Sequence, residues 1–415
     1  MDMAPLGFPR ELLGQPWPAR LEYFRAYTMA HPRLLSAREV LLGAIHGRVS
    51  NSLIMVLGPT GVGKSTLRAK VEQMLTMEML PELEATPGRL PVVSVECIAP
   101  ESGTFNWRDH FVRLLLQMDE PLVDRKRNLE DPARAGDRVM SFMPSTRAAG
   151  AAYHHATEQA LRFRRPVAVL LDEAQHLART GSGRRLSDQL DVIKSIANRT
   201  DTVHVLFGTY ELLAFRNLSA QLSRRSVDIH FPRYRADDPK DREMFLNVVR
   251  SFEQQLPLSQ PPDLVRDWEY LYERSIGCVG VLKDWLVRAL TGVFRRNATV
   301  LTIQDLQAHA LSVSQCEKML SEALEGEVSL LEGAQECNRL RTRLGLNPLE
   351  RPPEKLASSL VDAGIAVRSR KQRWRPGQRI PTRDVIGRVN ANAANLLFMV
   401  TIDFSVSSEK CALCA

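Results

Sequence analysis

Five short runs of apolar residues punctuate the first 231 positions: "LIMVL" from Leu53, "PVVSVEC" from Pro91, "VAVLLDE" from Val167, "VHVLFGT" from Val203 and "VDIHF" from Val227. Each is strand-sized and nearly continuous in hydrophobicity, the pattern of strands buried on both faces. Helical patterns separate them, which predicts a five-stranded parallel sheet covered by helices, an α/β fold. The first run leads through a glycine-rich turn into Leu67, Val71, Met74 and Leu75 at near-helical spacing. Ahead of it, residues 21–48 read as one or two helices: Leu34, Leu35, Val40, Leu41 and Ile45 follow a proline break. This segment is expected to pack beside the glycine-rich turn.

From Pro239 the strand signal disappears. "DREMFLNVVRSFEQQL", "DLVRDWEYLYERS", "GVLKDWLVRALTGVFRR" and "TIQDLQAHALSVSQCEKML" read as four amphipathic helices. Beyond Gly333 the chain turns loop-like and basic, with "GLNPLERPPEK" as a linker. The expected organisation is a helical segment (1–48), an α/β nucleotide-binding domain (49–234), an all-helical lid (235–326) and a linker with a basic tail (327–415).

A length of 415 residues agrees with two or three domains, and 44% hydrophobic with 25% charged residues is a globular balance. The apolar runs are too short to span a bilayer, and residues 1–20 lack the apolar core of a secretory signal. A cytoplasmic protein with no membrane contact is therefore expected. The net charge of +7 permits a polyanionic partner. Eight basic residues between Val367 and Arg388 surround Trp374, and two readings stand for them, a solvated tail or an arm for DNA or an acidic partner. The six cysteines are scattered, with one C-x-x-C at Cys411 and Cys414 that falls two ligands short of a structural zinc site, so reduced thiols are expected.

The candidate chemistry begins at the glycine-rich turn. Gly58 to Ser65 fit G-x-x-x-x-G-K-[ST] between a strand and a helix, where backbone N–H groups and the helix N-terminus cradle phosphates. Gly58, Pro59, Thr60, Gly61, Val62, Gly63, Lys64, Ser65 and Thr66 are the candidate ATP-binding residues. Lys64 would reach the β- and γ-phosphates, and Ser65 would hold Mg²⁺. Asp172 and Glu173 end an apolar strand at the edge where open α/β sheets bind ligands. Asp172 is placed to hold Mg²⁺ through water, and Glu173 to orient or deprotonate the attacking water. Thr209 ends the next strand, either as a hydroxyl that senses the γ-phosphate or as a plain helix N-cap. Arg224 and Arg225 precede the last strand, and with the usual strand order they would lie far from the P-loop strand. They would then serve a neighbouring subunit's nucleotide, unless they make surface salt bridges. Lys283, one turn into a lid helix, would touch the γ-phosphate from above or be an ordinary exposed lysine.

Together these stretches resemble the AAA+ ATPases, and among them the transposition regulators of the TnsC and TniB type. The resemblance covers about residues 21–311 and rests on "FRAYTMAHPRLLSAREVLLGAI", "GPTGVGKST", "VLLDEAQHL", "FGTYELL" and "QLSRRSVDIHFPRY". It implies an AAA+ P-loop fold, ATP hydrolysis, self-assembly into a ring or helical filament on double-stranded DNA, recruitment of transposase and target-selection proteins, and disassembly on hydrolysis. It also implies DNA contacts in "APESGTFNWRDHF", at Ser102, Thr104 and Arg108, with Phe105 and Trp107 readable as core. The charged stretch 119–150 and the basic tail depart from the family pattern. A helicase loader or replication initiator is the competing reading of the same fold; a signalling or chaperone-type ATPase indifferent to DNA is the third.

Overall fold

Apolar β-formers at consecutive positions force a strand to bury both faces, and the computed structural model shows how this chain covers them. It describes residues 7–47, 53–100, 105–125, 146–178, 184–216, 226–331 and 334–347. Among these, β1 (Leu53–Leu57), β2 (Val92–Glu96), β3 (Ala168–Asp172), β4 (Val203–Gly208) and β5 (Ser226–His230) form one parallel sheet in the order β2-β3-β4-β1-β5. All five coincide with the apolar runs of the sequence.

The helices that precede and accompany the sheet are α1 (Trp17–Ala26), α2 (Pro32–His46), α3 (Lys64–Ala85), α4 (Trp107–Gln117), α5 (Thr146–Arg164) and α6 (Arg184–Thr200). The two-residue period of a strand divides β1 between two cores. Ile54 and Val56 join Leu41 and Ile45 of α2 and Leu67 and Val71 of α3. Leu53, Met55 and Leu57 face Phe111 and Leu114 of α4, Leu161 of α5 and Leu190 of α6.

After β5 come α7 (Pro239–Gln255), α8 (Trp268–Ser275), α9 (Val279–Arg295), α10 (Ile303–His309), α11 (Val313–Leu330) and α12 (Ala334–Arg343). Phe245 and Phe252 of α7 and Leu282, Trp285 and Leu286 of α9 build a third core. Leu21 and Phe24 of α1 belong to it, so only α2 packs beside the nucleotide loop as expected. Pro32 lets the segment turn between two partners. The run 302–320, read as one helix, is two. Thr302 with Asp305, and Ser312 with Gln315, form separate capping boxes that start α10 and α11. The segment after Gly333, read as loop, opens with α12. The chain clusters into two units, 1–333 and 334–415. No helix among the described residues is long and apolar enough to cross a membrane.

Candidate nucleotide site

The loop between β1 and α3 carries the phosphate-binding pattern at the C-terminal edge of the sheet. Gly61 and Gly63 take positive φ, +76° and +110°, where side chains are disfavoured. Lys64 is buried, and its Nζ donates to the carbonyls of Gly58 (3.0 Å) and Pro59 (2.8 Å). Burial lowers its pKa, while Glu173, Cys278 and Asp172 oppose that shift. Ser65 and Thr66 follow in the first turn of α3.

Asp172 ends β3 and is buried. Its Oδ1 accepts the Glu173 N–H at 3.0 Å, and its Oδ2 lies 3.1 Å from Arg68 Nε. Arg68, on α3, also donates to Glu72 (3.1 Å) and to Ser94 of β2. Glu173 then turns the chain at φ +51°. Its carboxylate accepts from the side-chain amide of Gln175, whose own oxygen accepts the Thr209 N–H at 3.3 Å. Thr209 occupies the N-cap position of the 3₁₀ turn Tyr210–Leu212, yet its hydroxyl caps nothing; Oγ1 is buried without a partner among the described residues. An orphan hydroxyl at this edge, a buried carboxylate and a lysine resting on loop carbonyls fit a Mg²⁺-nucleotide, with Ser65 and Asp172 as the metal's candidate holders.

The lid meets this loop through its backbone. The N–H groups of Gly280 and Val281, in the first turn of α9, donate to the Gly61 carbonyl at 2.8 and 3.2 Å. Cys278, the N-cap residue, supplies no side-chain bond, so the loop carbonyl caps the helix in its place. Lys283 points elsewhere: its Nζ donates to the carbonyls of Arg25 and Tyr27, both at 2.7 Å, and ties α9 to the N-terminal segment. Those two carbonyls take its ammonium in place of the γ-phosphate contact expected from the sequence.

Arg224 and Arg225 lie outside the described residues. The expectation that the strand after them lies far from the P-loop strand is corrected, because β5 is hydrogen-bonded directly to β1. Parallel pairing sets the start of β5 at Ser226 beside Leu53, at the edge of the sheet opposite the loop. Ser102 and Thr104 also lie outside the described residues, as do 126–145, Trp374 with its basic cluster, and Cys411 and Cys414. Arg108 is exposed in the first turn of α4, its guanidinium 5.7 Å from the Tyr153 ring centroid. Phe105 is buried in the core and meets Trp107 edge-on at 5.0 Å, which supports the core reading of both aromatics. Cys97, Cys278 and Cys316 are buried and unbridged.

Three residues of this site were not evident in the sequence. Arg68 falls one turn after Lys64 on α3, Gln175 sits in "DEAQ", and Gly280 in "CVGVL". Only the "DEAQ" spelling offered a signal, a buried amide two residues from an acidic strand end.

Residues 48–215 match the family model described as an AAA domain. With the sheet order and the loop geometry, this makes the α/β region an AAA+ P-loop fold and the chain an ATPase. No curated protein matches the chain. Among solved structures it is similar to the ORC2 protein of Aeropyrum pernix in its ADP form, at 15% identity and a TM-score of 0.47, covering 80% of this chain and 86% of that one. The Aeropyrum pernix ORC1 protein in complex with DNA shares 18% identity at a TM-score of 0.45, over 87% and 82%. Drosophila ORC bound to DNA shares 15% at 0.40, over 88% and 85%. Likeness at this level assigns no function.

Proposed function

We propose that this ATPase is a nucleotide-gated switch that assembles on double-stranded DNA and regulates transposition by recruiting a transposase, with hydrolysis releasing the assembly. The observation that carries the switch is the seam between Gly61 and the start of α9, because a loop that rearranges around phosphates must move the carbonyl that caps the lid helix. The DNA and transposition parts rest on the motif set from Phe24 to Tyr234 and on the positive charge balance.

Within this reading Lys64 leaves its loop carbonyls for the β- and γ-phosphates, and the N–H groups of residues 58–66 cradle them. Ser65 and Asp172 would hold Mg²⁺, which would neutralise charge on the transferred phosphoryl group. Glu173 orients the attacking water and accepts its proton, and the Thr209 hydroxyl fixes the water or the γ-phosphate. Arg224 or Arg225, from a neighbouring subunit, stabilises the charge that develops.

The test is negative-stain microscopy of the protein with duplex DNA, comparing a non-hydrolysable ATP analogue, ADP and no nucleotide. Rings or filaments on DNA with the analogue alone are expected. Absence of a DNA-bound assembly in every state overturns the reading in favour of an ATPase indifferent to DNA. Assemblies that engage a replicative helicase and ignore transposase would transfer the protein to the loader and initiator class.

A further inference from the structure

Gln175 is almost fully buried, 3% exposed, and a buried primary amide must find partners for both its oxygen and its nitrogen. It lies three residues past the end of β3, after a turn made by Glu173 at φ +51° and held to β4 by the Ala174 N–H on the Phe207 carbonyl at 2.9 Å. The turn brings its side chain back over the strand ends. There Nε2 donates to the Glu173 carboxylate, while Oε1 accepts the Thr209 N–H at 3.3 Å.

Only this orientation of the amide works. Flipped, it would set oxygen against carboxylate and NH₂ against N–H, two contacts of like polarity. The neighbouring strand makes room for it: a Cβ on Gly208 would lie 2.6 Å from Gln175 Oε1. The amide therefore spans the two strand ends that carry the acidic residue and the orphan hydroxyl.

We infer that Gln175 is the positioning residue for hydrolysis, its amide locking the Glu173 carboxylate to the end of β4 so that Glu173 and Thr209 move as one body. The inference rests on the reading of Glu173 as the water-activating group. Displacement of the Thr209 backbone is passed through one amide to Glu173, which links sensing at β4 to water activation at β3. Gln175 itself touches neither water nor phosphate; it acts through Glu173.

The test compares Gln175→Met, which keeps length and packing but removes both hydrogen bonds, with Gln175→Asn, which keeps the amide but is one methylene too short to reach both partners. Each is made in the full chain alone and combined with Glu173→Gln. Steady-state and single-turnover ATP hydrolysis are measured beside the affinity for a fluorescent ATP analogue. Both variants are expected to lower kcat by about tenfold or more, with KM and analogue affinity within about twofold of the parent. Neither should slow the residual rate further in the Glu173→Gln background, because the group they position is already gone. Near-normal kcat in both variants, or an equal loss in both backgrounds, overturns the inference while leaving the reading of Glu173 intact. A Glu173→Gln protein that turns over at the parental rate overturns that reading, and the inference with it.

Discussion

Lys64 Nζ rests on two loop carbonyls, and burial lowers its pKa while Glu173, Cys278 and Asp172 oppose that shift. Removing it should cost the nucleotide a charge-assisted contact. Lys64→Ala is expected to weaken ATP binding by roughly 10- to 100-fold, which a fluorescent analogue titration checks, and to abolish assembly on DNA with it. Glu173→Gln should behave oppositely, binding ATP normally while turnover falls by about 100-fold or more and DNA-bound assemblies accumulate. Microscopy and phosphate release on one preparation separate these outcomes. At this scale the sequence was most informative, because the phosphate loop and the acidic strand end are local patterns whose chemistry depends on adjacent residues. It was silent on Arg68, whose guanidinium gains meaning only when β2 brings Ser94 and β3 brings Asp172 to the same helix face.

Between elements, the lid touches the α/β region at the phosphate loop and at the turn after β4. At the first, a Cβ on Gly280 would sit 2.5 Å from the Gly61 carbonyl. Gly280→Ala should lift α9 from the loop and cost about 1–3 kcal/mol through the two bonds it breaks, which denaturant unfolding checks. At the second, α11 lies on the turn after β4. A Cβ on Gly326 would be 2.1 Å from the Tyr210 ring, and Glu327 pairs with buried Arg233 at 2.9 Å. Glu327→Ala leaves that guanidinium without its counter-charge, and a loss of about 3–5 kcal/mol is expected in denaturant unfolding. The sequence located the strands because continuous apolar runs have few alternatives, but it merged α10 and α11, whose break contains neither glycine nor proline. The two capping boxes were present as spacing and lay within one amphipathic pattern.

For the molecule as a whole, buried histidines set an acid limit. His31 lies where the N-terminal segment meets the sheet and lid, its Nδ1 3.0 Å from the Tyr234 hydroxyl; His110 is on the buried face of α4 and His204 in β4. Burial lowers each from 6.5 to about 4. Between those values the unfolded chain binds more protons than the folded one, so stability is complete above pH 6.5 and is lost as pH falls towards 4. Thermal unfolding from pH 7 to 4.5 should show a steadily falling midpoint, with a shallower slope in His110→Asn than in the parent. Equal slopes would remove His110 from the account.

Local sequence was enough to read the five strands, the phosphate loop, the acidic strand end and the helical character of residues 239–330. Each is written in neighbouring residues, through hydrophobic period or motif spacing. Only the folded chain fixed the strand order that sets β5 beside β1, the attachment of α1 to the lid, the turning of Lys283 towards the N-terminal segment, and the amide that joins Glu173 to the end of β4. These depend on residues tens to hundreds of positions apart. Their pairing follows from which buried polar groups and apolar faces must be satisfied at once, a condition that no local stretch of sequence contains.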